Sequence, residues 1–362
     1  MPLTIFTSNG FADHLTPPGH PERVERFEVM QLVVAEFRAR GGPILEPRRV
    51  TDAELMRVHD AEYIGLIKAT AGRATALDAD TYTSPLTYDA AALAAGAVVN
   101  AVEHVLDAGA GARALAVVRP PGHHAERNRA MGFCFFNSIA VGAAHARARG
   151  LSRVAVVDYD VHHGNGTQWA FYADPSVLFV SSHQYPFYPG TGAAADIGTG
   201  AGEGFTVNLP VAAGGTDDDF DRIYSRLALP VLRQFKPELI LLSAGFDAHM
   251  DDPLGGMRLT TGCFGRLTAA IAAVADECCG GRMVAVTEGG YDLKALAGSL
   301  RVAIDALDAG RLKAAPTSGS QTTAAPPSGQ TAAAPTGSNA SAPRGDATVA
   351  AVLPHLAKYW TL

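Results

Sequence analysis

The sequence predicts an α/β fold, a central parallel sheet with helices on both faces, and three observations point there. Short β-branched runs alternate with longer Ala- and Leu-rich stretches of helical period, which is the pattern of βα units around a parallel sheet. Several of these runs are apolar throughout, as strands covered on both faces must be. Chemically capable residues follow the runs, at the carboxyl ends of strands, where open α/β sheets bind ligands.

Taken in order, strands are expected at Leu115–Val118, Val154–Val157, Val177–Val180, Phe205–Leu209, Leu239–Leu242 and Met283–Val286. Helices are expected from Pro21 to Arg40, Asp52 to Ala71, Tyr88 to Ala108, Asn137 to Arg149, Asp217 to Phe235, Thr261 to Cys278 and Leu293 to Leu307. Thr51 and Glu54 have the spacing of a capping box at the start of the second helix. From Ala314 to Pro343 the chain contains only Ala, Pro, Thr, Ser, Gly, Gln and Asn. Such a stretch has too little apolar surface to offset the entropy of ordering it. It predicts a main domain over residues 1–313, a flexible linker over 314–346 and a terminal helix over 347–362. Leu353, Leu356 and Trp360 suit that helix to docking back on the domain. A tethered peptide for a partner is the other reading.

Composition narrows the class. Of 362 residues, 48% are apolar and 18% charged, ample for a core and incompatible with wholesale disorder. Lys and Arg number 29 against 36 acidic residues, a net charge of −7, so the basic footprint of a nucleic-acid or anionic-membrane binder is missing. Cys134, Cys263, Cys278 and Cys279 show no CxxC spacing, which indicates neither a zinc knuckle nor a disulfide framework and fits a reducing compartment. The first residues show neither the basic nor the apolar region of a signal peptide, so none is expected, and no apolar run is expected to span a bilayer. A cytoplasmic location is expected, and the oligomeric state is left open.

Of 12 histidines, His123, His124, His145, His162, His163 and His183 fall within one sixth of the chain. Most sit at strand ends, with Asp158, Asp160, Asp247 and the Glu288–Tyr291 segment at others. Asp160 and His162 are two apart, so in an extended segment they project to one side. With Asp247 they make one imidazole and two carboxylates, a set suited to a divalent metal with a position left open for water. A lone histidine after a strand is more often a core residue, and an Asp there often caps a helix. The whole segment DYDVHHGNG resists that explanation, because so many polar groups beside an apolar strand are costly to bury without a task.

These residues resemble the zinc-dependent histone deacetylase family, nearest its class II branch and the bacterial deacetylase and acetylpolyamine amidohydrolase relatives. The resemblance runs from His20-Pro21-Glu22-Arg23 to Tyr291 through RPPGHHA, GFCFFN, VDYDVHHGNGTQ, PGTG, SAGFDAHMDDPLGG and EGGY, in the family's order. It implies the arginase/deacetylase fold, with a parallel sheet of eight strands.

The resemblance further implies one zinc ion per chain on Asp160, His162 and Asp247, which polarises an amide carbonyl and activates water. His124 would be general base and then acid, with His123 beside it, and Asp158 and Asn165 would orient His123 and His124 respectively. Asn165 in place of a carboxylate should leave His124 less basic. Tyr291 would donate to the oxyanion. Phe133 and Tyr188 would sandwich the acyl-lysine stem, the Gly132 carbonyl would accept the substrate N–H, and Asp80 would bind the substrate backbone at the rim. Ser181 and Ser182, with the carbonyls of Asp158, Asp160 and His162, would hold potassium. Leu254 stands where polyamine-specific relatives place Glu, which favours acetyl-lysine. The expected activity is removal of acetyl or short acyl groups from protein lysines. The alternatives are an acetylpolyamine or other small N-acyl amine hydrolase, a two-manganese arginase-like enzyme, and a catalytically silent acyl-lysine binding module.

Overall fold

The computed structural model describes residues 3–314 and 342–362. In chain order the first half runs β1 (Leu3–Phe6), α1 (Val24–Ala39), β2 (Ile44–Leu45), α2 (Asp52–Leu55), α3 (Ala61–Lys68), β3 (Thr75–Ala76), β4 (Tyr82–Thr83), α4 (Thr87–Ala108), β5 (Arg113–Ala116) and α5 (Ser138–Ala148). The second half runs β6 (Val154–Asp158), α6 (Asn165–Phe171), β7 (Val177–Gln184), β8 (Thr206–Val211), α7 (Asp217–Ile223), α8 (Leu229–Phe235), β9 (Leu239–Ala244), α9 (Thr261–Cys279), β10 (Met283–Thr287), α10 (Leu293–Ala314) and α11 (Pro343–Leu356).

Eight strands form one sheet in the order β2-β1-β5-β10-β9-β6-β7-β8, every pair parallel. Alternation along each strand feeds two cores. Ile240 and Leu242 of β9 face the layer of α1, α9 and α10, while Leu239 and Leu241 face α4 and α5. Burial on both faces is why β6, β9 and β10 read as continuous apolar runs.

Several elements depart from expectation. β1 and β2, of four and two residues, carry too little pattern to be read, and β5 begins two residues early. The helix expected over Asp52–Ala71 breaks between Leu55 and Ala61, because His59 turns inward there to bond Glu126 and Asn137. The helix expected over Asp217–Phe235 loosens into a π turn at Tyr224–Ala228, just before Pro230, whose missing N–H cannot continue an α-helical ladder. The first long helix starts at Val24, since Glu22 is drawn into a buried ion cluster and Arg23 is extended. Contrary to the expectation from apolar runs, α4 is long and apolar enough to cross a membrane by length and composition; 67% of that stretch is buried inside the fold. Most of the segment expected to be a linker lies outside the described residues.

The terminal helix begins at Pro343, four residues before the expected start. The Asp219 carboxylate of α7 accepts the N–H groups of Arg344 and Gly345, which caps the helix start. Thr348 donates to the Pro210 carbonyl of β8, and Val352, Leu356 and Trp360 join the core. α11 thereby packs against the edge strand of the sheet.

Candidate active site

Five strand ends converge on one crevice. The loop after β6 carries Asp160 and His162, the loop after β9 carries Asp247, and one ligand atom of each lies within 4.8 Å of the others. His162 Nδ1 stands 3.2 Å from Asp160 Oδ1 and 3.1 Å from Asp247 Oδ2. Backbone donors fix the carboxylates: Gly289 N–H on Asp160 Oδ2 at 2.8 Å and Val161 N–H on Asp247 Oδ1 at 2.8 Å. Only glycine fits at 289, where a Cβ would lie 2.0 Å from Asp247 Oδ2. Burial, then the neighbouring Asp160, pushes the Asp247 carboxyl up to about 7. Two buried carboxylates and an imidazole converging on one point form the donor set that a divalent cation neutralises, so these residues fit zinc.

The loop after β5 places the tandem histidines against this trio. His123 Nδ1 lies 3.0 Å from Asp158 Oδ2, and His124 Nδ1 lies 2.7 Å from Asn165 Oδ1. Glu288 Oε2 accepts the N–H groups of Gly122 and His123 at 2.7 and 3.2 Å, tying the tandem to the end of β10. Burial opposes a charge on His123, but Asp160 and Asp158 outweigh it and push its pKa up to about 10. Burial, reinforced by His123 and His162, holds His124 well below the ordinary imidazole value, so its ring is neutral at pH 7.

A cavity of about 210 Å³ opens above these groups, lined by Asp80, His124, Gly132, Phe133, His162, Phe187, Tyr188, Leu254 and Tyr291. Phe133 has φ 67° and follows Gly132 at φ 58°; a left-handed phenylalanine is a strained conformation held by its surroundings. It aims the Phe133 ring at the cavity, edge-on to Tyr291 at 5.7 Å. Across the cavity Tyr188 meets His124 at 5.2 Å, and Phe187 stacks on His162 at 5.4 Å. Burial pushes the Tyr291 phenol well above its ordinary value, which keeps it a proton donor.

Tyr291 is held from three sides. Its N–H bonds Asp252 Oδ2, its ring lies 4.8 Å from the Arg26 guanidinium, and Arg26 donates to the carbonyls of Glu288 and Gly290 at 2.6 Å each. Glu22 in turn binds Arg26 at 3.0 Å and Arg119 at 2.6 and 2.8 Å. Its carboxyl is held far below the carboxylate range: burial opposes this, but Arg119 and the other partners prevail.

Asp160, His162, Asp247, His123, His124, Asp158, Asn165, Tyr291, Phe133, Tyr188, Gly132, Leu254 and Asp80 thus lie together. Ser181 and Ser182 stand beside them with hydroxyls already engaged, Ser181 by His183 at 2.9 Å and Ser182 by Tyr224 at 3.0 Å. His163 and His183 pack ring to ring at 4.7 Å behind the site. His145 lies on α5 beside Glu54 and Glu103, away from the crevice despite its place in the sequence cluster. Phe187, Arg26 and Asp252 join the site without having been expected from the sequence. Phe187 and Asp252 fall inside or beside quoted motifs; Arg26 follows one closely and pairs with its Glu22, but its bonds to Glu288 and Gly290 span more than 260 residues.

Residues 20–307 match the histone deacetylase domain. The chain belongs to the histone deacetylase family. It is an enzyme of the deacetylase and amidohydrolase kind. A probable deacetylase of Archaeoglobus fulgidus is 38% identical over 287 residues, which cover 78% of this chain and 80% of that protein. The human polyamine deacetylase HDAC10 is 42% identical over 307 residues, covering 78% of this chain and 44% of that one. The crystal structure of the HDA15 HD domain superposes with a TM-score of 0.86 at 33% identity, covering 99% of this chain and 95% of that one.

Proposed function

We propose that this family member is a zinc-dependent deacetylase that removes acetyl or short acyl groups from lysine side chains of proteins. The observation that supports it most is a shared wall: His124, Tyr291 and the metal-ligand residue His162 face one narrow, largely aromatic cavity. Bound by Asp160, His162 and Asp247, zinc supplies Lewis acidity to the amide carbonyl and acidifies water.

This chain's residues do the rest. His124, neutral and with Nδ1 committed to Asn165, offers Nε2 to take the proton of the attacking water. The same nitrogen then returns a proton to the leaving amine. His123, paired with Asp158, stands beside the developing anion and supports it electrostatically. The Tyr291 hydroxyl donates to the carbonyl oxygen as it becomes an oxyanion. Phe133 and Tyr188 exclude water from the stem of the side chain, the Gly132 carbonyl accepts its N–H, and Asp80 meets the substrate backbone at the rim. None of these steps calls on the potassium that the resemblance implies at Ser181, Ser182 and the carbonyls of Asp158, Asp160 and His162.

Leu254 at the cavity wall offers no charge to a second ammonium, which supports acyl-lysine over a polyamine. Asp80, acidic and on the same wall, keeps the small-amine reading alive. Comparing kcat/KM for acetyl-lysine peptides and N-acetylated polyamines tests this. The peptide is expected to be the better substrate, and a preference for the polyamine would overturn the specificity reading.

A further inference from the structure

A general base must present a lone pair, and in a neutral imidazole only one nitrogen has one. For His124 to act through Nε2, its proton must sit on Nδ1, and whatever faces Nδ1 must accept. Asn165 faces it with an amide, which can turn either an acceptor oxygen or a donor nitrogen to the ring. The wrong orientation would put the proton on Nε2 and disable the base, so something must fix the amide.

Glu126 stands behind it. Asn165 Nδ2 donates to Glu126 Oε1 at 2.7 Å while Asn165 Oδ1 receives His124 Nδ1–H at 2.7 Å. A carboxylate oxygen accepts, and here it faces the amide nitrogen, which leaves the amide oxygen for the ring. Glu126 is itself pinned: its N–H bonds the Arg129 carbonyl at 2.9 Å, and its carbonyl accepts His59 Nδ1–H at 2.9 Å. Asn165 Nδ2 has two further, longer contacts, the His124 carbonyl at 3.5 Å and Met131 Sδ at 3.4 Å; both are acceptors and agree with the same orientation, and Glu126 is the nearest of the three.

We propose that Glu126 is a positioning residue for the reaction: it orients the Asn165 amide, and through it selects the His124 tautomer that leaves Nε2 free. The carboxylate that Asn165 lacks thus stands one hydrogen bond further out, where it also polarises the chain of bonds. The inference rests on the reading of His124 as the base.

The test is a double-mutant cycle of Glu126→Gln and Asn165→Asp, with His124→Ala as reference, assayed for kcat and KM on an acetyl-lysine peptide by the full zinc-loaded chain. Gln keeps the shape but both donates and accepts, so it no longer dictates the amide's orientation. The carboxylate introduced by Asn165→Asp has no amide nitrogen to mis-aim at the ring, so it does not depend on Glu126 for its orientation. Glu126→Gln is expected to lower kcat on the order of 10–100-fold with KM unchanged, and to cause no loss in the Asn165→Asp background. Equal losses in both backgrounds, or no loss in either, would overturn the proposal. Full activity in His124→Ala would instead remove the reading beneath it. Unchanged thermal melting of Glu126→Gln excludes misfolding; if that variant melts early, Glu126→Met in the same cycle carries the test.

Discussion

At the residue scale the site works by restricting each group to one state. Burial keeps the Tyr291 phenol protonated, and Arg26 and Asp252 keep it in place. An oxyanion donor contributes only as charge develops, so Tyr291→Phe is expected to lower kcat by roughly 100–1000-fold and leave KM nearly constant, as steady-state kinetics would record. A change confined to KM would mean that the hydroxyl binds substrate rather than the transition state. The proposed metal ligands and the tandem histidines could be picked out because each lies in a short motif at a strand end, where chemistry and spacing are visible together. Arg26 was not legible: its partners Glu288 and Gly290 lie more than 260 positions away, and nothing near Arg26 in the chain announces them.

At the element scale the strands of the sheet centre were readable because burial on both faces leaves them apolar throughout. The breaks in helices were not, since their causes are tertiary. His59 shows this best, for it sits in the gap between α2 and α3, takes Asn137 N–H on Nε2 and gives Nδ1–H to Glu126. That pair of bonds requires a neutral ring, and burial, the largest influence, holds its pKa down to about 4 against an ordinary 6.5. The unfolded chain therefore binds this proton first. His59's contribution is complete above pH 6.5 and is lost as pH falls toward 4, up to about 3 kcal/mol in all. Urea denaturation between about pH 7.5 and 4.5 should show the decline, and His59→Gln should flatten it. An equal decline in the variant would assign it to other groups.

At the scale of the whole molecule two cores flank one sheet, and the terminal helix packs along its β8 edge. Trp360 belongs to the first core and donates Nε1–H to the Gly204 carbonyl at 2.8 Å. Trp360→Ala is expected to cost about 3–5 kcal/mol in chemical denaturation, and a cost below about 1 kcal/mol would mean that the helix does not dock on the chain in solution. The alternation of strands and helices made the architecture readable, whereas the seat of this helix depends on Asp219 and Pro210, over a hundred residues upstream of it. In the proposed mechanism one metal held by Asp160, His162 and Asp247 serves this cavity. The most direct test of that mechanism is hydrolysis of an acetyl-lysine peptide by chelator-stripped protein titrated with zinc. Activity is expected to be absent at the start and to saturate at about one zinc per chain, as three converging ligands imply. Full activity in the stripped protein, or saturation only at two metals per chain, would rule out a single zinc at this site.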